Sequence, residues 1–267
     1  MIQILQGTIS YPEVKWGKAE DRLKNTPLVK ILDEIKGIGA DGIELWGRHL
    51  DNLSEADIKA LAKAIKASGQ KVVVFGAYTD FASSDESVKA AMEEGRRYLK
   101  LMNVFGAKKM RIFAGGGASA EAKPEHWSRA IAGMKELAKM YAGTGMMFVI
   151  ETHDSQLADT PETAVRLVKE VNDPSIRLNY QYMRGDIKKE LDTVWPYVEH
   201  VHMSFAARYN SRDDEVMKEL VKRGYDKTIT LEFCTDSLPK EGETFSRAKA
   251  IAGMKKDIAL LRSLMKK

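Results

Sequence analysis

Four short apolar runs in the second half of the chain each end on a side chain that can donate a lone pair to a metal. Phe148-Val149-Ile150 leads into Glu151, and Ile176 to Tyr180 into Gln181. Tyr197 to Val201 leads into His202, and Ile229-Thr230-Leu231 into Glu232. Carboxylates, an imidazole and an amide oxygen together suit one divalent cation, Mn²⁺ first, with Mg²⁺, Co²⁺ or Zn²⁺ as alternatives. Metal-bound Glu151 and Glu232 could take a proton from one face of a substrate carbon and return it elsewhere, acid–base work of roughly 10²–10⁴-fold. The cation would hold an enediolate's oxygens and offset their charge. The competing reading makes each glutamate a salt bridge at the rim of the fold.

Those donors need a scaffold that brings strand ends together. Strand-like runs fall at 2–6, 42–46, 71–76, 109–114, 146–151, 176–181, 199–204 and 228–233. Helical patterns lie between them at 27–37, 54–68, 85–105, 120–142, 161–172, 186–196, 211–223 and 244–265. The segment 54–68 opens with Ser54 three residues before Asp57, a capping-box start, and then spaces Ile58, Leu61, Ala62 and Ile65 along one face. Strands alternating with helices give a parallel sheet with right-handed crossovers, and eight such units close into a single (β/α)8 barrel. Catalytic groups in such barrels collect where the strand C-termini open. No linker or composition shift divides the chain, so one domain over residues 1–267 is expected.

Other residues could join the site. His200 and His202 share one side of their strand, because strand side chains alternate with period two. His202 is nearer the C-terminal end, and His200 could orient it or pack. His153 could bind substrate or sit in a solvated loop. Glu44 could be a catalytic or substrate-binding carboxylate, or pair with Arg48. Trp46, Phe75, Tyr78 and Phe113 could wall a pocket or be plain core. Gly115-Gly116-Gly117 leaves backbone amides accessible to an anion but lacks the spacing of a phosphate loop.

Bulk properties exclude several classes. The 267 residues are 44% hydrophobic and 30% charged, as in a globular protein with an ample core. The net charge of +4 is spread as 42 basic residues among 38 acidic ones, which argues against a nucleic-acid stripe. No apolar stretch approaches the ~20 residues of a membrane span. Met1 runs directly into Ile2-Gln3-Ile4-Leu5, so no leader is expected. The single cysteine, Cys234, excludes an intrachain disulfide framework and fits a reducing cytoplasm. A buried strand thiol is expected there in preference to a nucleophile.

The segments DGIELWG, KMRIFAGG, FVIETHD, HVHMSF and TLEF, in that order, resemble the xylose-isomerase-like barrel superfamily, the sugar phosphate isomerase/epimerase group, over essentially the whole chain. Its members include ketose 3-epimerases, hydroxypyruvate isomerase, inosose and dehydroshikimate dehydratases and apurinic-site endonucleases. The resemblance implies metal ligands at Glu151, the end of the sixth strand, His202 and Glu232, and a substrate-binding arginine at Arg208. Departures are specific. The sixth strand of these families usually ends in Asp with a His three residues on, where this chain has Gln181 and Arg184. The epimerases' further Glu, six residues past the first ligand, is replaced by Leu157.

A neutral amide at 181 removes one negative charge from the metal's surroundings. With Arg184 and Arg208 it favours an anionic substrate, a sugar acid or keto acid, over a neutral ketose. The expected function is a metal-dependent isomerase or epimerase of a small carbohydrate, acting through proton abstraction next to a carbonyl. The alternative is a metal-dependent lyase, a dehydratase or decarboxylase, on a keto sugar acid. A repair endonuclease would need more histidines than the five present. A non-enzymatic sugar-binding barrel is the outcome if Gln181 marks a degenerate site. The expected partner is a small-molecule carbohydrate, with no nucleic acid and no membrane, and a homo-oligomer is compatible with this reading.

Overall fold

The computed structural model describes residues 1–11, 27–206, 211–238 and 245–266. Its strands are β1 (Gln3–Gly7), β2 (Gly42–Trp46), β3 (Val72–Gly76), β4 (Lys109–Ile112), β5 (Met147–Glu151), β6 (Ile176–Gln181), β7 (Val198–Ser204) and β8 (Thr228–Phe233). The α-helices among the described residues are α1 (Leu32–Gly37), α2 (Glu55–Ala67), α3 (Asp85–Phe105), α4 (Pro124–Met140), α5 (Pro161–Val171), α6 (Ile187–Val194), α7 (Asp213–Lys222) and α8 (Arg247–Leu264). The strands follow one another from β1 to β8 in a closed parallel barrel, the (β/α)8 architecture that the alternation predicts. Ser54 and Asp57 form the expected capping box of α2, which buries Leu61 and Ile65. The fourth strand stops at Ile112, two residues earlier than expected. Gly115, Gly116 and Gly117 follow with φ of 80°, 84° and 74°, a left-handed backbone that does not continue the strand.

By internal contacts the chain divides into two compact units, 1–73 with 202–267, and 74–201. In the first, β1 lies between β2 and β8, with Leu5 opposite Gly42 and Thr230, and Gly7 opposite Glu44. Ile4 and Ile229 form the other face, fully buried. A Cβ on Gly7 would stand 3.1 Å from the Leu231 carbonyl and 3.2 Å from Thr230 Cγ2, so only glycine lets β8 approach here. Cys234 is buried beside Gln6 and Ser10, as expected of a packing thiol, and burial pushes its pKa up. Asp213, the first residue of α7, accepts a hydrogen bond from the Ser204 amide at the end of β7.

In the second unit β3, β4, β5 and β6 pair in register, with Met110 opposite Phe148 and Glu151 opposite Asn179. Phe75 packs edge-on against Tyr98 and Phe105 of α3, and Phe148 against Tyr141 at the end of α4. These contacts identify the helix-facing side of β3 and β5. Alternation then turns Arg111 and Glu151 inward. The Tyr180 hydroxyl donates to Glu190 of α6, so Asn179 and Gln181 also face inward.

Gly7→Ala should cost about 1–3 kcal/mol, because the extra carbon forces β8 away; thermal unfolding measures it. Burial, ahead of every other influence, pushes the Asp213 carboxyl up to about 7 from 3.8. Between those pH values the folded chain binds more protons at this group than the unfolded chain, so stability from this group falls as pH rises from about 4 to 7. At 1.36 kcal/mol per pK unit the upper bound is roughly 4 kcal/mol. Asp213→Asn should remove that slope, gaining on wild type at pH 8 relative to pH 5 in denaturant titrations.

Candidate metal centre

In the unit of residues 1–73 and 202–267, His202 is buried on the inward side of β7 between carboxylates. Its Nε2 lies 2.9 Å from Glu44 Oε2 and 3.1 Å from Oε1, and its Nδ1 lies 3.7 Å from Glu232 Oε2. Glu44 comes from the inward face of β2 and Glu232 from that of β8, where the alternation places them. One ring nitrogen anchored on a carboxylate fixes the tautomer and leaves the other directed at a second acid, the arrangement typical of metal-binding histidines. Arg48, the candidate partner of Glu44 in the sequence, lies 3.4 Å from Asp51. Glu44's part as the carboxylate holding His202 was not legible from its local sequence.

Trp46 ends β2, is 3% exposed, and stacks edge-on against His49 with ring centroids 5.3 Å apart. It is closely packed at the strand end. His200 is fully buried on the same side of β7 as His202. Arg208, the substrate-binding arginine that the resemblance implies, lies outside the described residues.

In the unit of residues 74–201, Glu151 is 1% exposed, and its Oε2 lies 3.0 Å from Nε of the equally buried Arg111. The guanidinium is held from other sides too. Its Nη1 donates to the Ala77 carbonyl at 2.8 Å, and its carbon lies 4.8 Å from the Tyr78 ring centre and 4.6 Å from that of Phe113. Tyr78 and Phe113 thus belong to this cluster, whereas Phe75 is core. The sequence reading missed Arg111; its only signal was a charged residue between Met110 and Ile112, at an inward position of an apolar strand.

Gln181 is held by its main chain. Thr152 Oγ1 accepts from the Gln181 amide at 2.8 Å and donates to the Gln181 carbonyl at 2.9 Å, extending the β5–β6 pairing past Glu151. The Gln181 side-chain oxygen is buried with no hydrogen-bond partner, as are both polar atoms of the Asn179 amide opposite Glu151. Such orphaned polar atoms ask for a ligand or water. Amide oxygen, carboxylates and imidazole are the donor types that Mn²⁺ and Mg²⁺ accept, so the residues present fit a divalent ion.

The loops above are also tied down. Glu190 of α6 accepts from Tyr180 Oη, Met183 N and Gly185 N at 2.6, 3.1 and 2.6 Å. Between them Arg184 adopts a φ of 67° and reaches Asp154 at 3.5 Å, both side chains mostly exposed. His153 is exposed, edge-on to Phe113 at 5.5 Å, and its Nδ1 donates to the Asp154 carbonyl. Leu157 is fully buried. The Gly115 amide is already engaged by Gln156 Oε1 at 2.8 Å, which removes one amide from any anion-binding use of the triple glycine. No helix among the described residues is long and apolar enough to cross a membrane.

Comparison with known proteins agrees with the fold. 3-Dehydroshikimate dehydratase from Bacillus anthracis is 25% identical over 172 residues, 61% of this chain and 61% of that protein. The chain thus spans under two thirds of that curated relative. The structure of D-psicose 3-epimerase with D-tagatose from Clostridium cellulolyticum H10 superposes with a TM-score of 0.79 at 15% identity, over 98% of this chain and 99% of that one. A xylose isomerase-like TIM barrel protein from Mycobacterium smegmatis in complex with magnesium superposes with a TM-score of 0.69 at 15% identity, over 99% and 97%. At such identities the likeness of those two structures is one of fold. The sequence profile described as xylose isomerase-like TIM barrel matches residues 32–207. The chain belongs to the xylose isomerase-like TIM barrel family.

Proposed function

We propose that Glu151, Gln181, His202 and Glu232 hold one divalent ion, Mn²⁺ in the first instance, in a single-domain barrel that isomerises or epimerises a small carbohydrate. The observation that carries this reading is the buried Glu232–His202–Glu44 series, in which an imidazole is anchored on one acid and turned to another. The orphaned Gln181 oxygen supports it, as does the position of all four residues in the C-terminal halves of β5 to β8. The ion would supply positive charge against the substrate oxygen that gains electrons as a proton leaves the neighbouring carbon. Glu151 and Glu232 are the proton-transfer groups, each taking or returning a proton at that carbon. Glu44 keeps His202 in one tautomer. Burial of these groups excludes water, so each charge acts at a lower effective dielectric.

The charge balance favours an anionic substrate. Glu44, Glu151 and Glu232 bring three negative charges and Arg111 one positive, a formal sum of −2 that one divalent ion cancels. Arg184, and Arg208 beyond it, would then attract a sugar acid or keto acid, with His153 beside Phe113 and Trp46 at the end of β2 shaping the sugar's surroundings.

A second reading, a lyase acting on a keto sugar acid, is favoured by the sequence match to a 3-dehydroshikimate dehydratase. Both reactions begin with the same proton abstraction. A screen of ketoses and keto sugar acids in D₂O separates them. Deuterium incorporated with unchanged composition means isomerase or epimerase; loss of water or carbon dioxide means lyase. Neither, across the screen, refutes both.

Purified protein should carry about one divalent ion per chain, removable by chelator. Glu151→Gln and Glu232→Gln should each lose the ion and reduce turnover by at least 10²-fold, as removal of a proton-transfer group implies. Undiminished turnover by fully stripped protein would refute the metal reading. Gln181→Asp should tighten metal binding yet slow turnover of an anionic substrate several-fold, since one charge at ~4 Å is worth on the order of 4 kcal/mol before screening. Arg184→Ala should raise KM for that anion more than for a neutral sugar. Equal or faster turnover by Gln181→Asp would sink the charge argument.

A further inference from the structure

We propose that Arg111 is a positioning residue, the built-in counter-ion of Glu151, and that it sets how loosely the divalent ion is held. The inference rests on the reading of Glu151 as a metal ligand. The contacts of Arg111 and Glu151 that carry it all lie within residues 74–201.

A carboxylate buried without a partner would be protonated or would pull water in. Glu151 avoids both because Arg111 Nε stands 3.0 Å from its Oε2. The guanidinium in turn has little room to leave. The Ala77 carbonyl holds one edge at 2.8 Å, and the Tyr78 and Phe113 rings lie 4.8 and 4.6 Å from its carbon. An arginine presents a planar fork that stacks on rings while its N–H groups bond in the plane, which a lysine cannot do. Arg111 touches Glu151 directly, so it acts through that carboxylate.

Two consequences follow for a metal. Glu151 is charged and aimed before any ion arrives, so binding needs no reorganisation of that side chain. The arriving ion must also share the carboxylate with a fixed positive charge, and that repulsion lowers its affinity. A solvated lysine would swing aside; a pinned arginine stays. The ion should therefore be exchangeable, and the metal-free fold should stand without it.

Mn²⁺ titration of the metal-stripped full chain, by calorimetry or by the electron paramagnetic resonance signal of free Mn²⁺ at fixed ionic strength, tests this. Arg111→Gln should bind Mn²⁺ at least tenfold more tightly than wild type. Its metal-free form should melt at lower temperature, with the loss recovered by Mn²⁺. Arg111→Lys, which keeps the charge but can swing aside, should tighten binding several-fold, less than Arg111→Gln does. Tyr78→Leu, which unpins the guanidinium and keeps it, should tighten binding several-fold. A merely structural arginine would give weaker or unchanged binding in Arg111→Gln, and that result overturns the proposal. If Arg111→Gln does not fold, unchanged affinity in Tyr78→Leu overturns it instead. Wild-type protein that binds no Mn²⁺, or binds it as well after Glu232→Gln, overturns the metal reading itself, a different failure from the one specific to Arg111.

Discussion

Acids taken out of water have to be matched by charge or by donors as the chain folds, and most of the chemistry of this protein depends on how that is done. Glu151 is matched by a guanidinium and Glu44 by an imidazole N–H, while Glu232 faces the ring's other nitrogen at 3.7 Å. Glu190 is matched by a phenol and by main-chain amides, and Asp213 by the Ser204 amide. The kinds of partner sort the acids by role. Amides and hydroxyls fixed in the fold leave a carboxylate nothing more to do than hold a loop. A cation or an imidazole leaves it able to exchange that partner's charge for an ion's. Losing one member of such a buried pair typically costs 3–5 kcal/mol, so these contacts also hold the strand ends in place.

Much of the fold was legible because its signals are local. Period-two runs, the Ser54–Asp57 box and the glycines after β4 depend on neighbours in sequence. Glu151, His202 and Glu232 stood out as candidates for a related reason: each is a polar residue towards the end of an apolar strand. Long-range pairing was not. Glu44 has Arg48 one turn away in sequence, yet its partner is His202, 158 residues on. Sequence proximity offers a candidate partner without saying which face of the strand each side chain leaves from. The same limit separated the aromatics: Phe75 turns to the helices, whereas Tyr78 and Phe113 lie over Arg111.

Arg111 shows a subtler loss. Within Met110-Arg111-Ile112 it reads as a strand with one tolerated charge, and its long stem suggests an escape to solvent. Only the register of β4 against β5, with Arg111 opposite Val149, places it inward near the Glu151 end of its neighbour. Gln181 was noticed because it departs from the family's acid, but not the means by which it is fixed. Thr152 grips its main chain at both amide and carbonyl, a contact with no sequence signature of its own.

The Glu190 clamp has a further consequence, for how such a protein can change. It reaches the loop after β6 through the amides of Met183 and Gly185 and the ring hydroxyl of Tyr180, none of which depends on the side chains of residues 182 to 184. The path of that loop is thus encoded at a distance, on α6. Met183 is half-buried and Arg184 is exposed, so these two positions behave as an interchangeable cassette on a fixed frame, whereas the Tyr182 hydroxyl also donates to the Gly185 carbonyl at 3.1 Å. Selection can rewrite what the loop presents without rebuilding its backbone, save that position 184, at a φ of 67°, admits glycine and asparagine more readily than β-branched residues.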